Sequence, residues 1–354
     1  MASTPQHVLA LSAPRRRQAS PHVSVVVINY CQWRNTDRLT RQLVDADAIT
    51  SGTANVIVVD NDSPADHAQA RLRRTPGVSL KQFNQNTGFA KAANEGCRLA
   101  SGEWVLLLNP DTAVPEGFLD QLEALCRSLD QEEPKAGVVG LALRHTDGSD
   151  QPSSGPPPTL MRTLSGLVLP RRVRKCRPIQ ADNRVPVPWV TGCGMLIRRA
   201  CWAQIGGFDE SFFLYYEDVD FCHRTWDAGW TVTYEPSLRL THFTPLHTRR
   251  VPPELRLMTR HALLTYAEKY WGNWRRRAMA SVIWLEALAR QTKAIATRRP
   301  TGLHVELRRL ARNWFAGDRL AARWRIRQAS KLLATCPGRE DCDLVPETST
   351  IRAA

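Results

Sequence analysis

The 354-residue chain lacks the marks of a redox or zinc scaffold: its nine cysteines include no Cys-x-x-Cys pair and no metal-type spacing. Reduced, buried thiols in a cytosolic protein are the expectation. Long apolar runs are also missing. The stretch Val282 to Leu285 is broken at Glu286 and flanked by arginines, far short of the ~20 apolar residues of a membrane-spanning helix. Residues 1–20 carry Arg15-Arg16-Arg17 after a weakly apolar stretch, the wrong order for a secretion signal, and are expected to form a flexible tail. There is no internal repeat and nothing resembling a base-reading module, so no nucleic-acid partner is expected.

What is present in the first half is an alternation of strand and helix patterns. Val23 to Ile28 and Val56 to Val59 are β-branched and nearly continuous in apolar character, as for parallel strands buried on both faces. Val78 to Phe83 and Trp104 to Leu108 follow as further strands. Helices are expected from Asn35 or Thr36 to about Ala48, after Gly88, and from Pro115 to Leu129. The order predicts an α/β fold with a mainly parallel sheet flanked by helices. Ligands of such sheets sit at the carboxyl ends of the strands, where Asn29, Tyr30, Asp60, Asn86 and Asp111 fall.

Two acidic segments stand out. Trp104 to Leu108 delivers Asp111 just past a strand end, and Glu217-Asp218 opens an amphipathic helix whose buried face is expected to carry Val219, Cys222 and Trp226. Alone, Asp111 is compatible with a turn residue and the acidic pair with helix capping. Occurring together, they point to an enzyme site.

The runs Val25-Val26-Val27-Ile28-Asn29-Tyr30, Val58-Val59-Asp60-Asn61-Asp62-Ser63, Asn86-Thr87-Gly88-Phe89-Ala90 with Asn94, and Leu107-Leu108-Asn109-Pro110-Asp111 resemble family 2 of the glycosyltransferases, in particular its rhamnosyltransferase-like branch. Gly192 to Arg199, Gly206-Gly207-Phe208-Asp209-Glu210 and Glu217-Asp218 continue the resemblance, which covers about residues 21–246. It implies a GT-A, Rossmann-like fold and an inverting, metal-dependent transfer from a nucleotide-diphosphate sugar. Asp111 would bind Mg²⁺ or Mn²⁺, with His242 as a further ligand. Asn109 would contact ribose or diphosphate, and Asp60 would accept from the N3–H of uracil or thymine. Asn29, Tyr30, Asn86 and Gly88 would complete the donor site. Asp218 would be the base and Glu217 its orienting neighbour. The donor implied is dTDP-L-rhamnose and the acceptor a lipid-linked or polysaccharide glycan of bacterial polysaccharide or cell-wall assembly. Galactofuranosyl or N-acetylhexosaminyl donors are the alternatives within the class. Trp189 and Trp202 are either core residues or sugar-stacking platforms, and Gly192, Gly194, Gly206 and Gly207 are expected to allow close approach to sugar and diphosphate.

A sugar-phosphate nucleotidyltransferase would need a glycine-rich basic loop after the first strand, where this chain has Asn29-Tyr30-Cys31-Gln32-Trp33. A non-catalytic membrane or nucleic-acid binder on a degenerate transferase domain is at odds with Asp60, Asp111 and Asp218 occurring together. Residues 152–188, rich in Pro and Arg, are expected to form a mobile excursion, and residues 336–354 a loose tail. Charge is lopsided: residues 247–354 hold 22 Lys+Arg against 9 Asp+Glu, +13 of the chain's +14. Residues 247–335 are helical in pattern and interleave arginines with Trp271, Trp274, Trp284, Trp314 and Trp324. That mixture predicts docking on an anionic membrane surface, placing the protein at the inner face of the cell membrane. Packing of these helices onto the α/β part is the competing reading.

Overall fold

The computed structural model describes residues 21–168, 178–243 and 251–335. The two expected tails, the Arg171 to Lys175 run and the residues following Phe243 up to 250 lie outside them. Strands β1 (Val23–Asn29), β2 (Ala54–Asn61), β3 (Val78–Phe83) and β4 (Trp104–Leu108) pair in parallel in the order β3-β2-β1-β4. Strand periodicity explains how they are covered, because alternate residues point to opposite faces. Val23, Val25, Val27, Val56, Val58, Leu106 and Leu108 pack with Leu39 and Leu43 of α1 (Trp33–Val44) and Phe118 and Leu122 of α5 (Phe118–Glu132). Their neighbours Val26, Ile28, Ile57, Val59, Val105 and Leu107 pack on the other face with Ala90, Ala93 and Cys97 of α4 (Phe89–Leu99). Two short helices, α2 (Asp47–Thr50) and α3 (His67–Leu72), complete this half.

The second half of the sheet is mixed. It adds β5 (Thr112–Ala113), β6 (Ala136–Arg144), β7 (Val185–Pro186), β8 (Met195–Arg198) and β9 (Thr231–His242). β8 runs antiparallel between β4 and β6, β9 runs parallel to β6, and β5 and β7 pair antiparallel with β9. Between Leu141 and Ala142 the partner on β9 jumps from Glu235 to Arg239. This bulge spans Pro236, which has no N–H for the ladder. Beyond it, the β5–β9 register sets His242 opposite Thr112, next to Asp111.

Helices α6 (Leu160–Val168), α7 (Arg199–Ile205) and α8 (Glu217–Asp227) belong to this half, and four helices follow: α9 (Pro253–Tyr270), α10 (Gly272–Ala296), α11 (Gly302–Ala316) and α12 (Arg319–Thr335). These four share an apolar cluster with Phe212 and Val219 and pack against Trp189, Phe213 and Leu214. Trp271 and Trp314 are buried there, whereas Trp274 and Trp324 are 67% and 58% exposed. No helix of the described residues is long and apolar enough to cross a membrane.

Several local expectations change. α1 starts at Trp33 with Gln32 as its N-cap residue; Thr36 lies within the first turn, its hydroxyl shared between Asn29 Oδ1 (2.9 Å) and the Gln32 carbonyl (3.0 Å), and caps nothing. Trp226 is 38% exposed, its indole N–H donating to the Val187 carbonyl at 3.2 Å. α6 forms inside the Pro/Arg-rich stretch. Trp189 and Trp202 pack against the apolar core. Gly194 and Gly207 serve internal packing: a Cβ would lie 2.9 Å from Leu240 Cδ1 or 2.6 Å from Asn94 Oδ1.

Candidate active site

The ends of β1, β2, β3 and β4 open on a cleft of about 390 Å³ lined by Tyr30, Asn86, Gly88, Asn109, Asp111 and His242, among others. Asn29 and Asp60, at the ends of β1 and β2, are almost fully buried. Asn29 Nδ2 donates to Asp60 Oδ1 (2.8 Å) and Ser63 Oγ (3.1 Å), while Asp60 Oδ2 accepts from Ser63 N (3.3 Å) and Gln82 Nε2 (3.4 Å). Burial raises the Asp60 pKa, and the hydrogen bonds from Ser63, Asn29 and Gln82 oppose that shift by favouring the carboxylate.

The rim from Asn86 to Gly88 is held by a residue whose role the sequence pattern did not disclose. Asn61, at the end of β2, donates to Asn86 Oδ1 (3.0 Å) and the Gly88 carbonyl (3.2 Å), and its Oδ1 accepts from Thr87 N (2.9 Å). Gly88 has φ +89°, and a Cβ there would sit 2.4 Å from the Phe213 carbonyl oxygen, so only glycine fits. Its position in a motif was legible; the close approach to Phe213 was not.

On the other side, His242 Nε2 lies 3.4 Å from Asp111 Oδ2. Its Nδ1 faces Gln151 Oε1 at 3.1 Å. A carboxylate oxygen and an imidazole nitrogen converging in this way suit a divalent cation. Cis ligands of an octahedral ion bound at about 2.1 Å lie about 3 Å apart. Arg38 steadies the loop: its Nη2 donates to the Pro110 (3.2 Å) and Thr112 (2.7 Å) carbonyls, and its guanidinium lies 4.7 Å from the Phe243 ring centroid. Burial lowers the Arg38 pKa to about 10, against the pull of Asp111. A second group of ligand-type side chains, His22, Glu103 and Asp130, sits away from the cleft near the N-terminal ends of β1 and β4. There Asp130 Oδ1 accepts from Arg198 (2.6 Å) and Trp104 Nε1 (3.1 Å), an arrangement that ties the sheet to α5.

Glu217 and Asp218 open α8, and Asp218 is hydrogen-bonded to the N–H of Gly192, which lies between the cleft-lining Thr191 and Cys193. Asp218 Oδ2 accepts from Gly192 N at 3.1 Å, and its Oδ1 from Val219 N at 2.8 Å. The turn that delivers them is strained: Tyr215 and Tyr216 both have positive φ, 73° and 65°. It is anchored one helical turn later by Asp220, which is fully buried and accepts from Lys269 Nζ (2.6 Å), Tyr270 Oη (2.7 Å) and Arg224 Nε (2.8 Å). Burial raises the pKa of both Glu217 and Asp218. Glu217 is displaced further, since the Asp218 charge adds to its burial and its Oε2 has no hydrogen-bond partner among the described residues. The backbone N–H donors on Asp218 favour its ionised form. Burial and the Asp218 charge thus strengthen the hold of Glu217 on its proton, while the N–H donors favour ionisation of Asp218.

Helices α9 and α12 contribute Leu255, Met258 and Ser330 to the cleft, and Tyr30 Oη donates to the Ser330 carbonyl at 2.9 Å.

Residues 21–262 match the family model described as "Glycosyltransferase like family 2". The chain is 32% identical over 274 residues to an "N-acetylglucosaminyl-diphospho-decaprenol L-rhamnosyltransferase" of Mycobacterium tuberculosis, covering 71% of this chain and 86% of that protein. It is 25% identical over 162 residues to "Rhamnosyltransferase WbbL" of Escherichia coli K12, 46% of this chain and 60% of that one. A solved structure, "GalNAc-T7 with UDP, GalNAc and Mn2+", aligns at a TM-score of 0.51 and 16% identity over 90% of this chain and 58% of that one, a likeness of fold. The chain belongs to the glycosyltransferase-like family 2, as an enzyme built on the GT-A fold.

Proposed function

We propose that the chain transfers L-rhamnose from dTDP-L-rhamnose, with inversion, to a lipid-linked glycan acceptor in bacterial polysaccharide or cell-wall assembly. The observation that carries this reading is the extended identity to the Mycobacterium tuberculosis rhamnosyltransferase, over most of both chains. Asp111 and His242 would hold Mg²⁺ or Mn²⁺, which when bound stabilises the leaving diphosphate. Asn109 and the Asn86–Gly88 rim, with Tyr30, would seat the nucleotide. Asp60, positioned by Asn29, would accept from the thymine N3–H, with Gln82, its longest donor at 3.4 Å, giving way. Asp218 takes the acceptor hydroxyl proton as that oxygen bonds to the sugar C1 and the C1–O bond to the diphosphate breaks, with Glu217 as its protonated neighbour. Thermal unfolding with a panel of nucleotide sugars plus Mn²⁺ tests the donor. dTDP-L-rhamnose should stabilise most, by about 2.7 kcal/mol at a hundred times its Kd. Greater stabilisation by a galactofuranosyl or N-acetylhexosaminyl donor overturns the assignment.

We also propose that the protein works at the inner face of the cell membrane, docked there by the region 247–335, whose four helices begin at Pro253, with residues 21–246 as the catalytic domain. Trp274, Leu320 and Trp324 are exposed among arginines, and Arg275 lies 5.2 Å from the Trp274 ring centroid. Each basic residue near an anionic leaflet contributes about 1 kcal/mol, within a Debye length. Co-sedimentation with anionic vesicles is expected to weaken with salt and with Trp274→Ser plus Trp324→Ser. Equal binding to neutral vesicles, or none to either, sinks the idea. Point substitutions are preferred to truncation near Pro252, which would also remove Leu255, Met258 and Ser330 from the cleft.

A further inference from the structure

Gln151 is almost fully buried, lines the cleft, and follows the bridge between Arg144 and Asp150 that folds the chain back from the end of β6. Its amide can be oriented from its surroundings. Nε2 lies 2.9 Å from the Arg144 carbonyl oxygen and 2.6 Å from the His242 carbonyl oxygen, with His145 Nδ1 at 3.1 Å. Two carbonyl oxygens can only accept, so the NH₂ group must face them; the flipped amide would set oxygen against oxygen. The amide oxygen then has one direction left, toward His242 Nδ1 at 3.1 Å. An amide oxygen accepts, so Nδ1 must carry the ring proton. In the neutral ring the Nε2 lone pair is thereby turned toward Asp111 Oδ2, 3.4 Å away. Two electron-pair donors facing each other at that distance repel unless a metal cation or a second ring proton lies between them.

We propose that Gln151 is a positioning residue that locks His242 in its Nδ1–H tautomer, presenting Nε2 to the divalent cation opposite Asp111. It grips the histidine twice, at the ring and at the backbone carbonyl, and so fixes both its protonated nitrogen and its place at the end of β9. The cation half of this inference rests on the metal reading above; the tautomer half does not. Outer-shell partners of this kind are worth roughly 10–100-fold in metal affinity.

The test has two independent readouts. Long-range ¹⁵N–¹H correlation on histidine-labelled, metal-free protein reports the His242 tautomer, assigned by loss of its signals in His242→Asn. Wild type should show Nδ1–H, and Gln151→Met, which offers the ring no acceptor, should not. Mn²⁺ titration by electron paramagnetic resonance should then give a Kd 10–100-fold weaker for Gln151→Met than for wild type. An Nε2–H ring in wild type overturns the proposal without any variant having to fold. So does a folded Gln151→Met protein with unchanged tautomer and Mn²⁺ affinity. If Asp111→Asn and His242→Asn both leave Mn²⁺ affinity unchanged, the metal reading fails, while the tautomer result stands on its own spectrum.

Discussion

Asp218→Asn is expected to leave donor binding near normal and to cut turnover by roughly 10²–10⁴-fold, the usual worth of a general base. The amide keeps the shape of the side chain but has one oxygen for the two N–H donors, Gly192 N and Val219 N, so thermal unfolding measured alongside the kinetics separates lost proton transfer from lost packing. The pH profile should carry the same signature. Burial raises the Asp218 pKa, so the acid limb of kcat should lie above the ordinary aspartate range, with activity lost as pH falls through it. Glu217→Gln separates the two acids. Because Glu217 holds its proton more tightly folded than unfolded, stability falls as pH rises from the ordinary glutamate pKa toward the raised one. The glutamine variant has no proton to lose and escapes that loss, so its stability relative to wild type should rise as pH climbs from the ordinary glutamate range toward the raised one and stay constant below it. If Glu217→Gln damages turnover more than Asp218→Asn, the base has been misassigned.

Asp111→Asn is expected to abolish divalent-dependent turnover. A hard cation bound through oxygen needs the carboxylate charge, and a neutral amide supplies neither that charge nor an equivalent donor. The loop itself should survive, because Arg38 holds it through the Pro110 and Thr112 carbonyls, independently of the Asp111 side chain. Intact thermal unfolding with lost Mn²⁺-dependent turnover is the expected pair of measurements. Turnover that persists and still responds to chelator would move the cation elsewhere in the cleft.

The parallel half of the fold was legible because each β-branched run is short, continuous and closed by a polar turn, a pattern that buried parallel strands require. The candidate positions at strand ends followed from the same logic, and the structure places Tyr30, Asn86, Gly88, Asn109 and Asp111 on one cleft. His242 came only from the resemblance. Its placement depends on the β9 bulge around Pro236, whose effect on register is invisible in a one-dimensional pattern. Gln151 and Arg38 escaped notice for a related reason: their partners lie 91 and 72–74 residues away, and neither sits in a periodic run. Asn61 lay inside a quoted motif, but its clamp on the next loop emerges only when β2 and β3 pair. Trp226 was misjudged because helical spacing identifies a stripe without saying how far the neighbouring strand extends over it.

The bond from Tyr30 to the Ser330 carbonyl joins residues 300 positions apart. Contacts of such sequence separation form late, because the closure entropy of the intervening chain must be overcome first. During synthesis the sheet and its strand-end loops can assemble while the cleft still lacks the wall supplied by α9 and α12. The nascent enzyme is thus expected to gain its α/β core well before it can grip a donor. Competence for the substrate becomes one of the last properties the growing chain acquires.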